Sequence, residues 1–336
     1  MVTKVFQLLL LLSPVCFGSN MNMDMFDIIF FRTGIIALFG ASLLDTAKRQ
    51  MPEWVNKIVF ALIAICLWNL FIHTFNAKTL HESMNLFLAI VGFYIVYGYW
   101  DIKQSMRKYI LWAGIVNLTV YGCQKVGFNP FFNSMPYVGQ EGAFLGNQPR
   151  LMTYFALLTP FLWWPLLSIS IFLGLYANQI IIFAPVAVCL FAKMRTKKEK
   201  IIYIVLVFLT ALLLKDRILF SLSYRFNIAW KPILTEFFKQ PLIGLGLGVS
   251  PIPELEVMGN SYLQFITGVG IVGAVWFGYV FKNIYRKLSY NAESIALISL
   301  GIIMLIEYPI EITRLRYLIM AILVMWLLKT EEVRSA

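Results

Sequence analysis

Charge is scarce in this chain. Only 13% of its 336 residues are Asp, Glu, Lys or Arg, against roughly 25% in an ordinary soluble domain. With 60% apolar residues and a mean hydropathy of +0.76, that shortage excludes a water-soluble globule. Histidine occurs only twice, at His73 and His81. Cys16, Cys66, Cys123 and Cys189 fall in or beside separate apolar segments, with no CxxC spacing and no nearby histidine. They read as small apolar fillers rather than metal ligands or disulfide partners. There is no clear carboxylate pair and no His/Cys cluster with ligand spacing, so neither a metal nor another cofactor is expected. No repeat period, low-complexity tract or soluble domain interrupts the pattern.

What the chain has instead is apolar runs along its whole length, each close to the ~20 residues that an α-helix needs to cross the hydrocarbon core. Backbone amides in lipid must be satisfied within the segment, which leaves helices or closed barrels. The runs lack the alternation of barrel strands. The predicted fold is all-α: a polytopic integral membrane protein forming a single membrane domain over residues 1–336.

The formal charge of +11 would suit nucleic acid if it were gathered into one patch. The cations sit instead in short clusters between apolar runs: Lys48-Arg49 with Lys57, Lys103 with Arg107-Lys108, Lys193 to Lys200, and Lys282 to Lys287. That is the positive-inside pattern of a membrane protein, with both termini cytoplasmic and no nucleic-acid partner. Spans are expected near 5–18, 26–44, 58–75, 84–100, 109–123, 201–214, 261–281, 292–309 and 313–328. The first could be a cleaved signal peptide; a short helix is preferred, because a multi-span protein needs no separate signal. Residues 151–192 carry no charge and must make an odd number of crossings. Three compressed segments, broken near Trp164-Pro165 and Asn178-Gln179, are favoured over one crossing with a re-entrant turn. The total is about twelve helices, or ten. Loops 124–150 and 215–260, with the turn from Glu307 to Arg316, face outward.

Loop 215–260 carries the most information. From Leu222 to Gln240 the apolar positions Phe226, Trp230, Ile233, Leu234, Phe237 and Phe238 recur at helical spacing, with Arg225, Lys231, Glu236 and Lys239 elsewhere. This predicts a helix lying flat at the membrane surface. Next comes Pro241-Leu-Ile-Gly244-Leu-Gly246-Leu-Gly248. Its alternating glycines lack the strand and βαβ context of a dinucleotide fingerprint. They suit a backbone that turns sharply or approaches a polar ligand closely. Asn260, Tyr262, Gln264, Gly268, Gly270 and Gly273 then open the following span, where small residues let helices pack closely. In or beside the second span, Arg32 and Asp27 are ionisable groups with a functional reading by default; an ion pair to an acidic neighbour is the structural alternative for Arg32.

Taken together, Arg225, Trp230, Pro241 to Gly248, Asn260, Tyr262, Leu263, Gln264, Gly270 and Gly273 resemble the O-antigen ligase and polymerase superfamily of bacterial membrane enzymes. The family pattern is an Arg and a Trp ahead of P-hydrophobic-x-G-x-G-x-G, then His-Asn-x-Tyr-Leu-Gln and a Gly-rich helix start. The histidine is replaced here by Gly259. Gly142 to Asn147, leading into Leu151 to Pro160, and Glu307-Tyr-Pro309 are weaker echoes. A Ser-Arg-Gly common at the start of a middle helix has only Asn178-Gln179 in its place. The likeness spans about 125–328, with its specific part at 222–273.

The resemblance implies a glycosyltransferase in the bacterial inner membrane whose donor is a glycan on undecaprenyl pyrophosphate. An acceptor hydroxyl attacks the anomeric carbon at the outer face, without a metal. The leaving pyrophosphate gathers negative charge, which a site must meet with cations or donors. Arg225 is the first candidate, since its fork binds phosphate oxygens bidentately; Arg217, Lys231 and Arg150 are helpers. Trp230, Gly244, Gly246, Gly248, Asn260, Tyr262 and Gln264 are candidate substrate contacts, and Glu254 and Glu256 candidate proton acceptors. Polymerisation of O-antigen or exopolysaccharide repeat units is favoured over ligation to lipid A, because Gly259 cannot take a proton. His73 and His81 belong to another hairpin and replace that histidine only if the hairpin folds over the site. Expected partners are membrane lipids, the lipid-linked oligosaccharide, and a chain-length regulator or other glycan-assembly protein. A transporter or flippase would show buried charge in several spans and symmetry between halves, and the spans are poor in both.

The topology is directly testable. Single cysteines placed in 215–260 are expected to react with an impermeant thiol reagent in intact cells, and those in 193–200 only after lysis; the opposite pattern overturns the orientation.

Overall fold

The computed structural model describes residues 1–12, 23–47, 49–73, 76–101, 104–128, 148–162, 183–194, 196–213, 215–249, 260–306 and 315–335. Among them the chain is all-helical, with no strand. The helices are α1 (Val2–Leu12), α2 (Met23–Ser42), α3 (Glu53–Ile72), α4 (Ala77–Tyr99), α5 (Met106–Lys125), α6 (Gln148–Leu158), α7 (Phe183–Lys193), α8 (Lys197–Leu213), α9 (Lys215–Arg225), α10 (Lys231–Phe237), α11 (Ser261–Val269), α12 (Ile271–Tyr285), α13 (Ala292–Ile306) and α14 (Arg316–Ser335). By length and composition α3 and α4 can cross a membrane, while Val2–Leu12, Ile29–Leu43 and Ala292–Leu305 are shorter apolar helices. Polar residues set several helix starts. The side chains of Asn76, Ser105 and Asn260 accept from the amides of Lys78, Lys108 and Leu263, at 3.0, 3.4 and 2.9 Å, satisfying first-turn donors that have no helical partner.

One expected helix is broken and another is distorted. The segment 261–281 is not one helix: Gly270 at φ 86° separates α11 from α12, a left-handed conformation that glycine adopts without steric cost. The stretch 222–240 is helical without interruption as far as Phe237, but it is not a uniform α-helix. α9 ends at Arg225, a π-helical turn spans Phe226–Trp230, and α10 follows. Pro232 explains the turn, because proline lacks the N–H that would bond back to residue 228 and its ring crowds that carbonyl. One wide turn relieves the conflict. The breaks proposed near Trp164-Pro165 and Asn178-Gln179, most of loop 124–150, Cys16 and the Glu307-Tyr-Pro309 turn lie outside the described residues.

α14 is the hub. It packs against α1, α4, α5 and α13, while α6 and α7 pack on α13. Tyr317, Leu318, Met320, Ala321, Ile322, Val324, Trp326 and Leu327 are all buried, so the helix is enclosed on every side over its first three turns. Its Tyr317 hydroxyl donates to the Phe31 carbonyl at 2.8 Å, and the rings of Phe6, Phe30 and Phe31 surround it at 5.4–6.3 Å. Gly34 makes room, since a Cβ there would overlap the Tyr317 hydroxyl. α8 is the opposite case. Among the described elements it packs chiefly on α7 and α9, and Ile201, Ile202, Val205 and Phe208 stand 50–62% exposed.

Gly34→Ala is expected to lower stability by about 1–3 kcal/mol through overpacking, read as a lower thermal midpoint of the purified protein. Combined with Tyr317→Phe, which removes the overlapping hydroxyl, it is expected to cost less than the two single changes added together.

Candidate functional site

Residues 238–249 form a strap that is bonded to the α11–α12 break. Leu245 and Gly246 donate to the carbonyls of Thr267 and Gly268 at 2.8 and 2.9 Å, and Ile271 donates back to Pro241 at 2.8 Å. Gly244 bonds to Gln240 and Val249 to Gly246. Gly244, Gly246 and Gly248 all have positive φ. At Gly244 the requirement is doubled, because a Cβ would also press on the Gly268 carbonyl and the Gly270 amide. The alternate glycines thus let the strap lie directly on backbone.

The turn joining α3 to α4 closes over the other side of the strap. Asn69, 1% exposed, accepts from the Leu247 amide at 3.0 Å and donates to the Gly268 carbonyl at 2.9 Å. One carboxamide therefore ties α3, strap and helix break together. An amide partner on one atom and a carbonyl on the other fix which way it points. The His73 ring lies against Gly246 with Thr79, and Glu82 lies against Gly248; His73 Nε2 is 3.5 Å from the Ile243 carbonyl. His73 thus lies beside the glycine run, while Gly259, the position where the family's histidine stands, lies outside the described residues.

Behind the hairpin lies a polar cluster. Arg32 donates through Nε and Nη2 to Asn85 Oδ1, both at 3.2 Å, and its Nη2 is 3.3 Å from His81 Nδ1. Arginine only donates, so the last contact holds while His81 Nδ1 is unprotonated. Among the described side chains, Arg32 is thus held by a neutral amide and an imidazole rather than by an acid. Arg316 lies 3.8 Å from Glu82 and its guanidinium stands over the Phe31 ring at 5.1 Å. Glu82, Asn85, Arg316 and Leu247 open onto a cavity of about 340 Å³.

The residues singled out from the sequence are distributed as follows. Arg225 is half-buried at the C-terminal end of α9, and Trp230 is half-buried in the π-turn. Lys231 is exposed at the start of α10. Arg217 lies on α9, with its side chain outside the described residues, and Arg150 is half-buried near the start of α6. α6 packs with α5, α7 and α13, whereas α9 packs with α8 and the π-turn. Asn260 caps α11 and donates to the Leu305 carbonyl at 3.0 Å. Tyr262 donates to the Gly301 carbonyl at 3.0 Å and packs on Phe277 and Phe281. Gln264 follows on α11, with a buried Oε1 that has no partner among the described residues. Glu254, Glu256 and Gly259 lie outside the described residues.

Asn69, Thr79, Glu82 and Asn85 escaped the sequence reading. The available signal was amide and hydroxyl side chains inside apolar runs, which draw less notice than charges yet must find partners there. Asn69→Ala is expected to cost roughly 1–3 kcal/mol, because it strands the buried Leu247 amide and leaves the Gly268 carbonyl only its bond from Gly246. Asn69→Asp is expected to be no better, since it sets an anionic oxygen against the Gly268 carbonyl; a thermal midpoint unchanged in both variants would remove the clamp from the account. Compared with known proteins, the chain matches no family model, no curated protein and no solved structure, so a functional reading stands on its own residues.

Proposed function

We propose that this protein is a polytopic glycosyltransferase of the O-antigen polymerase and ligase type, acting on undecaprenyl-pyrophosphate-linked glycans at the outer face of the bacterial inner membrane. Support for a lipid environment comes from the girth of α8, where consecutive apolar residues are exposed. A helix apolar on all faces belongs inside a protein or inside a bilayer. On this reading the chain crosses the membrane ten to twelve times, and the apolar segments 5–18, 26–44, 58–75, 84–100 and 109–123 supply the first five crossings.

The observation that carries the enzymatic reading is the motif from Arg225 to Gly273, in which the glycine run is bonded to Thr267, Gly268 and Ile271 of the glycine-rich segment that follows Asn-x-Tyr-Leu-Gln. In this reading Arg225 binds the leaving pyrophosphate bidentately, and charge building up on the leaving oxygen makes that contact stronger in the transition state than in the ground state. Polymerisation of repeat units is the preferred activity, since Gly259 supplies no base. Ligation is the second reading, favoured by His73 against Gly246. A positioned base contributes about 10²–10⁴-fold in rate.

A deletion strain decides among these. A polymerase leaves glycan of a single repeat unit on its lipid anchor, whereas a ligase leaves long unattached polymer and bare lipid A; normal surface glycan overturns both. In complementation, Arg225→Ala is expected to abolish transfer while the protein inserts normally, and Arg225→Lys to recover little, because lysine keeps the charge without the planar fork. A normal rate in the alanine variant would reduce Arg225 to a headgroup anchor.

A further inference from the structure

The cavity between α3, α4, α12 and α14 holds hydrogen-bond donors that the motif does not use. Asn85, 1% exposed, lines it beside Glu82 and Arg316 at the strap end. Arg32 donates twice to Asn85 Oδ1, at 3.2 Å each, and a guanidinium has nothing to accept with. The carboxamide is therefore fixed with its oxygen toward Arg32. Arg32 is not part of the cavity wall, so the Asn85 nitrogen is the end that faces the space. Among the described residues its two N–H groups meet no acceptor. Arg32 thus acquires a role as the group that orients Asn85, with His81 Nδ1 steadying its Nη2 at 3.3 Å.

The rest of the wall is apolar and aromatic. On α14 it runs from Arg316 to Leu327, a rise of roughly 16 Å. The volume of about 340 Å³ falls at the lower end of small-molecule sites, roughly 300–1,000 Å³. Trp54, Trp276 and Trp326 bring indoles to it. The Trp276 N–H is taken by the Ile58 carbonyl at 3.0 Å, whereas the buried Trp326 N–H has no partner. Glu82 and Arg316 face each other; Asn85 stands three residues beyond the first and Trp326 ten beyond the second. The Trp326 indole therefore lies roughly 10 Å past the level of Asn85.

We infer that the cavity binds an acyl chain of an ester-linked lipid, whose carbonyl oxygen accepts from the Asn85 amide while the chain runs along the wall toward Trp326. An unmade donor in an apolar surrounding is costly, and a carbonyl satisfies it without bringing charge into the cavity. A sugar is a poor occupant, since its hydroxyls would lie against apolar wall without partners. An alkane fits the wall but leaves Asn85 unmet. A chain with a carbonyl near its head answers both parts of the lining. A carbonyl held at Asn85 does not reach the Trp326 N–H, so that indole contributes its ring and not its donor. The inference uses the membrane environment proposed above, which supplies such lipids, and is independent of glycan transfer.

Photolabelling of the purified full chain tests it, with diazirine-bearing diacylglycerol, phosphatidylglycerol and alkane of equal chain length as separate probes and the labelled peptides mapped by mass spectrometry. The two ester lipids are expected to label 85–93 and 316–327 at least about fivefold more than the alkane, the size of one hydrogen bond recovered. Asn85→Leu should bring both lipids down to the alkane level, and Trp326→Phe should leave their preference intact. Ala89→Phe, which fills the slot, should remove labelling by every probe. Should Asn85→Leu fail to fold, Ala89→Phe and the lipid-to-alkane ratio in the unaltered chain carry the test. Preference for diacylglycerol names an uncharged lipid as occupant, and parity or preference for phosphatidylglycerol names a bulk phospholipid; either upholds the site. Equal labelling by the alkane, which would leave Asn85 to a water, overturns it, as does labelling outside those walls or unchanged in Asn85→Leu. Ester-lipid labelling in a chain whose deletion leaves surface glycan normal would sink the glycosyltransferase reading and leave this one standing.

Discussion

Asn69 spends its carboxamide on two backbone groups, the Leu247 amide and the Gly268 carbonyl, and the second of these also accepts from the Gly246 amide. The Gly268 carbonyl is open to these donors because the turn at Gly270 interrupts the α-helical ladder. In an apolar surrounding an unmade backbone bond is costly, so the break, the strap and the clamp stand or fall together. The position of the α3–α4 turn, the reach of His73 to the strap and the mouth of the cavity all follow from that one bridging side chain.

How much of this is legible in the sequence depends on the kind of force involved. Helices at 53–72 and 77–99 announce themselves through length and apolar composition, and the glycine run signals close backbone approach without saying to what. The partner turned out to be backbone in α11 together with the hairpin, 170 residues away in sequence for the His73 contact with Ile243. Nothing local encodes such a pairing. The break at Gly270 was hidden for a related reason: a glycine between apolar residues is equally compatible with tight packing of a continuous helix. The dihedral that decides between them is set by Pro241 reaching the Ile271 amide.

α14 and α8 illustrate two fates of similar composition. Both are rich in aliphatic residues, yet one is enclosed by neighbours and the other meets its surroundings on most of its circumference. Hydropathy alone cannot separate them. Arg316 and Tyr317 mark the enclosed helix, since both find specific partners at its start, in Glu82, Phe31 and the Phe31 carbonyl. The described part of α8 offers no comparable polar anchor beyond its charged first turn.

The π-turn at Phe226–Trp230 acts as a change of reading frame in three dimensions. Along an unbroken α-helix, positions 225, 229, 233 and 237 would form one stripe, each four residues from the last. Ala229, Ile233 and Phe237 are indeed buried, and a straight helix would carry Arg225 inward with them. The wide turn slips the phase by about one residue, roughly 100° of rotation, which leaves Arg225 half-exposed while the apolar stripe beyond it stays packed. Losing a single residue from this turn would therefore act less as a shortening of the chain than as a rotation of everything before it.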